Sequence, residues 1–398
     1  MRSDYQVAII GGGASGLLCA VELSRGKNAF NGNEIVVFEG KERVGQKLLA
    51  TGNGQCNLSN KNLSERYYHG DKNFISKICK TQEFRDVSNY LEGIGIPVTT
   101  VKDGRVYPLS KQANSVLDTL RDFLEFKKVN VKTSEKVTKI SKYTNRFKIF
   151  SEKGEYIVDK VVIAVGGSCG KQFGTDGTSY ALAENFGHKL TQLRPSLVQI
   201  KTDVKNIKGL KGLKETACVS AFDGKNFLSK STGDILFTDY GISGNAVFSV
   251  SGYLAEAKNP KVIVEFLPDL TFDETENLIL QRKKLSFIKE QDLLNGLVNK
   301  KIGLAILKTV KNLSVTAITN AVKNFQLEVT GNLGFNYAQV TKGGIKTDEI
   351  TEFFESKLQK GLYLIGEVIN VDGDCGGYNL NFAFASGIIS AKNIKNDR

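Results

Sequence analysis

QVAIIGGGASGLLCAVELS, residues 6–24, decides the fold. Its opening, Gln6 to Ile10, is a short apolar run without alternation, as expected of a central parallel strand buried on both faces. Gly11, Gly13 and Gly16 follow in G-x-G-x-x-G spacing, and Leu17, Ala20, Val21 and Ser24 recur at helical intervals. EIVVFEG (34–40) then reads as a second buried strand ending in an acid, Glu39. Strand, glycine turn, helix, strand and acid fall in order within about forty residues, which is the dinucleotide-binding unit. Each part has its own physics. Gly11 permits the tight turn, Gly13 lets the backbone approach a pyrophosphate, and Gly16 allows the helix to pack closely on the sheet. The helix N-terminus offers unpaired N–H groups and a positive dipole end. Glu39 can accept hydrogen bonds from ribose hydroxyls, and its charge disfavours a 2′-phosphate there.

A second glycine loop closes the chain. VDGDCGGYNLNFAFASG (371–387) runs from the apolar strand GLYLIGEVINV (361–371) into an apolar helix. One long ligand held at both ends is the economical reading. An extended dinucleotide such as FAD would have its adenine end at the first loop and its flavin end at the second. DGDCGGYN would then present backbone N–H groups to the flavin ring, with the dipole of LNFAFASGIISAKNI behind them.

Between the loops, FISKICKTQEFRDVSNYLEGIG (74–95) and KQANSVLDTLRDFLEF (111–126) read as amphipathic helices flanking GRVYP (104–108). Short strands at VNVKT, EKVTKI, RFKIF and EYIVD form an antiparallel meander that delivers the chain to a third buried strand, KVVIAVGG (160–167). TDGTSYALAENFGH (175–188) reads as a helix capped at Asp176 or Thr178 and stopped by Gly187, with His188 as a partner of its C-terminal dipole. From Pro195 the texture changes. ACVSAF, DILFT and KVIVEFLP alternate like a small antiparallel sheet or barrel, and helical patterns follow to about Asn324 in TFDETENLILQRKK, EQDLLNGLVNKKIGLAILKTVKNL and SVTAITNAVKNF. The expected organisation is therefore α/β. A Rossmann-like FAD-binding domain in two parts, 1–194 and 333–398, has parallel sheet, βαβ unit and antiparallel meander. It carries an inserted domain, 195–332, barrel-like over about 195–270 and helical over about 271–326, placed to cover the cofactor.

The bulk numbers narrow the classes. A chain of 398 residues with 41% hydrophobic and 24% charged residues is too long for one ordinary core and suits two domains. The formal charge of +12 comes from lysines spread along the whole chain, so most belong to solvated surface and the remainder would attract an anionic partner or substrate. Six cysteines without a CxxC pair and only two histidines, His69 and His188, support no zinc ribbon, dithiol motif or histidine-rich metal site, and no metal is expected. The first strand begins too early for a signal peptide, and no apolar run approaches a membrane span, so a cytoplasmic protein is the expectation.

Seven segments together resemble the HI0933-like flavoprotein family. They are GGGASG (11–16), GQKLLATGNGQCNLSN (45–60), GRVYP, AVGGSCG (164–170), LFTDYGISG (236–244), VTKGGI (340–345) and ESKLQKGLYLIGEVINVDGDCGGYNLNFAFASG (355–387). The resemblance implies non-covalent FAD and an oxidoreductase; characterised family activities include a steroid ring-ene reductase of bile-acid dehydroxylation and an oxidase of a small aminoketone. It implies that Gly11, Gly13, Ala14, Ser15 and Gly16 line the pyrophosphate turn, and that Glu39 takes the adenosine ribose. Gln46 and Lys47 would meet phosphate or ribityl oxygens, Cys56 and Asn57 the ribityl chain or ring, and Val137 the adenine, with Thr51, Gly54 and Gly166 also binding the cofactor. Glu367, Asp372, Gly377, Tyr378 and Asn379 would serve it from the C-terminal loop. Many relatives carry Arg where this chain has Gln55, so one charge-assisted contact would be missing or replaced. Cys56 is either a small buried residue or a redox-tuning one, and Tyr378 either fixes its loop or touches substrate. Lys342 is either a flavin-polarising cation or a surface lysine.

Flavin chemistry leaves the protein to position, tune and shield, which explains why no nucleophilic triad or carboxylate pair stands out. The expectation is an FAD-dependent oxidoreductase passing hydride between flavin and a small or medium organic molecule, with Arg105, Tyr107 and Lys342 as substrate-side groups. Its reaction would be reduction of a conjugated C=C with NAD(P)H as transient donor, or else amine or aminoketone oxidation with oxygen. An FAD protein that binds or modifies RNA is the alternative of another class, though nucleic acid is not the expected partner. The sequence is silent on oligomeric state.

Overall fold

The computed structural model describes residues 4–398. The chain forms two compact units, one reaching to Arg194 and resuming at Val340, the other Pro195–Gln339. In chain order, β1 (Tyr5–Ile10), α1 (Ala14–Leu23) and β2 (Ile35–Phe38) are followed by α2 (Gln46–Ala50), β3 (Ser59–Asn60) and β4 (Tyr68–Gly70). The segment 74–95 is broken into α3 (Lys72–Lys80), α4 (Gln82–Arg85) and α5 (Val87–Glu92) rather than forming one helix. Thr81 makes the first break: its hydroxyl donates to Ile78 O and accepts from Phe84 N, ending one helix while capping the next. The chain continues through β5 (Val98–Thr100), β6 (Arg105–Pro108), α6 (Ala113–Phe126), β7 (Asn130–Lys132), β8 (Val137–Tyr143), β9 (Arg146–Ser151) and β10 (Glu155–Ile163). The next helix, α7, is only Ala181–Glu184, after a 3-10 turn at Thr178–Tyr180, because Asp176 closes a local turn by accepting from both the backbone and the hydroxyl of Thr178.

β11 (Arg194–Ser196) spans the boundary at Pro195, and the second unit goes on with β12 (Ile200–Thr202), β13 (Lys214–Asp223), β14 (Asn226–Phe237), β15 (Gly241–Ser243), α8 (Asn245–Leu254), β16 (Pro260–Phe266), α9 (Phe272–Lys283), α10 (Lys300–Lys308), α11 (Val315–Lys323) and β17 (Phe325–Asn332). Residues 293–299, expected to be helical, are not: Asn299 caps α10 there by accepting from Lys301 N at 3.0 Å. Six strands close an antiparallel barrel in the order β12-β15-β14-β13-β16-β17. Its interior is filled by Val219, Ile235, Phe237, Val264 and Phe266, all fully buried, as alternation predicts for a small barrel. Lys323 ties α11 to β16 by donating to Glu265 (3.0 Å) and Leu267 O (2.9 Å).

The first unit resumes with β18 (Val340–Lys342), β19 (Leu362–Leu364), β20 (Val371–Gly373) and α12 (Tyr378–Asn396). GLYLIGEVINV is thus two short strands joined by a 3-10 turn, not one strand. The main sheet runs β7-β2-β1-β10-β9-β8, with β19 also on β10. EYIVD and KVVI are one strand, β10: its first half pairs antiparallel with β9 and its second half parallel with β1 and β19. β7 belongs not to the meander but to the parallel edge beside β2. This is a Rossmann-type fold, and both β1 and β2 are walled by apolar residues as a doubly covered sheet requires.

α12 crosses α1 almost backbone to backbone. A Cβ on Gly387 would lie 2.5 Å from Ser15 O and 3.1 Å from Cys19 N. Farther along the same crossing, Lys395 Nζ meets Glu22 at 2.6 Å with both side chains buried. Gly387→Ala is therefore expected to cost about 1–3 kcal/mol and to displace the start of α1. The check is a lowered unfolding midpoint together with reduced flavin content after purification.

Candidate functional site

The turn after β1 is shaped by contact with the end of β10. Gly11 has φ +111°, and a Cβ there would sit 2.4 Å from Ala164 O. Gly16 lies against Gly11 O, so its close packing is with the turn itself as well as with Ile9. Gly13 differs from both, since nothing of the protein lies within 4 Å of where its Cβ would be. The N-terminus of α1 also has no side-chain cap. Open space in front of uncapped helical N–H groups fits a pyrophosphate. Ala14 and Ser15 begin α1 there. Glu39 ends β2 beside the turn, accepting from Gly12 N (3.0 Å) and Lys41 N (2.8 Å). Burial raises its carboxyl above the ordinary range despite those bonds. Val137 opens β8, and Glu135 N, two residues before it, donates to Glu39 O at 2.9 Å, so Val137 lies at the Glu39 end of the site.

Loop 45–57 forms the next wall. Gly45 N donates to Gly12 O at 2.8 Å. Gln46 and Lys47 start α2, and Lys47 Nζ pairs with Glu367 at 2.6 Å, so these two expected cofactor residues hold each other. Asn53 and Cys56 take left-handed φ values of +56° and +59°, conformations that cost energy in residues with side chains and mark a constrained loop. Thr51 begins the 3-10 turn through Gly54. Cys56 is fully buried, and burial pushes its thiol up to about 12. A thiol so placed stays protonated near neutral pH.

Asn57 reaches the C-terminal loop. In the orientation that satisfies its whole amide, the oxygen accepts from Gly377 N at 3.0 Å and the nitrogen donates to Ser59 O and Val106 O at 3.1 and 3.2 Å. The Gly377 N–H expected to face a ligand is thus taken by the protein. Asn379 clasps Gly373, accepting from its N at 2.8 Å and donating to its O at 2.7 Å. Tyr378 is buried, stacks on Tyr67 with ring centroids 4.6 Å apart, and meets Tyr68 edge-on. Its ring thus packs between β4 and the segment before it. Asn60 completes the clasp by donating to Gly376 O at 2.9 Å.

Three further segments converge here. Thr341 Oγ1 accepts from Ser168 N (2.7 Å) and Cys169 N (3.2 Å), while Thr341 N donates to Glu367 at 2.8 Å. Thr341 joins the Gly166 loop to the Glu367 turn, a hub that sequence reading missed because only its neighbour Lys342 carries charge. Arg105 on β6 pairs with Asp103 at 3.1 Å. Burial disfavours its charge, but Cys375, Asp103 and Tyr107 around it more than compensate and hold the guanidinium protonated. The Tyr107 ring sits beside Gly52. His188 does not serve a helix end; it is buried between Glu349 (3.2 Å) and Ser356 (2.8 Å). Among the described residues, no three His, Cys, Asp or Glu side chains group as a metal site needs, and no helix is long and apolar enough to cross a membrane.

Asp372 stands apart. It is 1% exposed, and neither carboxylate oxygen has a hydrogen-bond partner. Burial raises its carboxyl from 3.8 to about 6, against the pull of His69 and Lys342. A buried carboxylate without donors is costly, and ribityl hydroxyls would supply them. Nine residues of α12 separate Gly387, over Ser15, from Tyr378, so the helix holds the two glycine loops about 14 Å apart along its axis.

Because the folded pKa of Asp372 exceeds the ordinary value, the folded state loses stability as pH rises from 3.8 through about 6. In flavin-stripped protein, Asp372→Asn should be more stable at pH 7.5 by on the order of 3 kcal/mol, with the gap narrowing as pH falls towards 4. Urea unfolding across that range checks it; in the FAD-loaded protein the same variant should instead release flavin more readily.

Comparison with known proteins gives a consistent picture. The HI0933-like protein Rossmann domain family matches residues 5–393. The chain is 34% identical to the 3-dehydro-bile acid delta(4,6)-reductase of Clostridium scindens, over 97% of this chain and 98% of that one. It is 27% identical to the ribosomal RNA dihydrouridine synthase of Haemophilus influenzae, over 97% of each. In fold it is similar to the 3-ketosteroid-delta4-(5alpha)-dehydrogenase of Rhodococcus jostii, with a TM-score of 0.53 and 14% identity over 99% of this chain and 98% of that one.

Proposed function

The chain belongs to the HI0933-like family of FAD-dependent oxidoreductases, and from that premise we propose that it saturates a C=C bond conjugated to a carbonyl, with NADH or NADPH as electron source. The observation that carries this reading is the Arg105–Tyr107 strand beside the C-terminal loop: Asn60, which pairs with Arg105 across β3 and β6, donates to Gly376 O. Bound FAD supplies hydride chemistry at its flavin ring. The chain's own groups do the rest. Arg105, held cationic, donates N–H bonds to the substrate carbonyl and draws electrons from the double bond. Tyr107 gives the proton to the carbon beside that carbonyl, and Lys342 balances charge near Asp372.

The relatives support one bond change on two kinds of molecule. A bile-acid delta(4,6)-reductase and a dihydrouridine synthase differ in substrate, yet each name describes saturation of a ring double bond conjugated with a carbonyl. A free cyclic enone is the first substrate class. Uridine within RNA is the second reading, favoured by the net charge of +12 and by the dihydrouridine synthase likeness.

The test is the anaerobic visible spectrum. NADH or NADPH should bleach the flavin, and a steroid-like enone should restore the yellow. A flavin that ignores both nicotinamides and bleaches with an amine would replace this reading by an oxidase. Restoration only by uridine-containing RNA would select the second reading. Arg105→Met should lower kcat/KM for the enone by about 100-fold or more while leaving nicotinamide-driven bleaching intact.

A further inference from the structure

Outside the residues assigned so far, the segment after β3, helix α3 and the end of α4 enclose an open cleft of about 580 Å³. Its walls carry Lys61, Lys80 and Arg85 against a single carboxylate, Glu65, with the hydroxyls of Ser64 and Ser76 among them. Arg85 is held in place by donating from Nε to Cys79 O at 3.0 Å. Burial, and then the Glu65 carboxylate, push the Cys79 thiol up to about 11, so it adds no charge. Three cations against one anion leave a surplus of two positive charges, which matches a diphosphate. The volume falls within the range of small-ligand sites, about 300–1,000 Å³.

The cleft is joined to the C-terminal loop by the segment that forms its wall. Lys61 N donates to Gly104 O at 2.8 Å, one residue before Arg105. Ser64 O accepts from Tyr67 N at 3.1 Å, Tyr67 O accepts from Asp374 N at 2.9 Å, and the Tyr67 ring stacks on Tyr378. The wall of the cleft is therefore continuous with the strand that carries Arg105 and with the C-terminal glycine loop. The sequence offers no second G-x-G-x-x-G turn of the first kind to bind a second dinucleotide.

We propose that this cleft binds the diphosphate of the nicotinamide dinucleotide that feeds the site, an inference that rests on the nicotinamide-fed reading above. ADP-ribose, which has the diphosphate but no nicotinamide ring, is the probe. Calorimetry on the FAD-loaded protein should show binding that is about tenfold weaker in the Lys80→Met, Arg85→Met double variant, with flavin spectrum and unfolding midpoint unchanged. Half-maximal bleaching should then need about tenfold more NADPH at an unchanged limiting rate. Equal ADP-ribose affinity in both proteins overturns the proposal, as does a loss confined to an RNA oligonucleotide. Wild-type protein that binds ADP-ribose through these residues but is bleached by neither nicotinamide keeps the cleft and removes the donor reading; bleaching with the same NADPH dependence in the variant does the reverse. If the double variant fails to fold, Lys61→Met, an exposed position, should weaken ADP-ribose by about threefold, and no change there overturns the proposal.

Discussion

The close crossing of α1 and α12 is the constraint on which the first unit depends. Gly387 lets the two helices touch through their backbones, and the buried Glu22–Lys395 pair holds the crossing farther along. Breaking such a pair would strand a buried charge, so its value lies in fixing geometry more than in adding stability. Because one helix begins at the first glycine turn and the other at the last, the crossing sets the spacing between them. A ligand that touches both must span that spacing.

The same crossing explains why the C-terminal loop is so heavily tied. Asn57, Asn60 and Asn379 take up its backbone groups, and the Tyr67–Tyr378 stack covers it. Polar satisfaction by the protein leaves few groups for a ligand, and those few become conspicuous: the Asp372 carboxylate and the space before Gly13. Costs left uncompensated in a folded chain point to a function. The second unit has no orphaned carboxylate among its described residues, only the uncharged Gln199 Oε1, Thr202 Oγ1 and Thr238 Oγ1, while its Lys323 is satisfied by Glu265 and a backbone carbonyl.

Much of this architecture was legible in the sequence, for reasons that are local. The apolar run at 6–10, the spacing of Gly11, Gly13 and Gly16, and the alternation in KVIVEF each report a backbone geometry within a few residues. The misreadings were also local. Side-chain bonds at Thr81, Asp176 and Asn299 cut or shortened helices that periodicity alone would have continued. β10 was split in reading because its two halves have different neighbours: the first half pairs with β9 just before it in sequence, the second with the distant β1.

The sequence by itself determined the dinucleotide-binding unit, the alternation of the barrel strands and the family, because neighbouring residues dictate burial period and permitted dihedrals. Only the tertiary structure decided that Asn57 caps Gly377, that Lys47 meets Glu367, that His188 lies between Glu349 and Ser356, and that Asp372 has no partner. Those pairings join residues as many as 320 positions apart. Their existence depends on where two helices cross and where a strand ends, which no local pattern encodes.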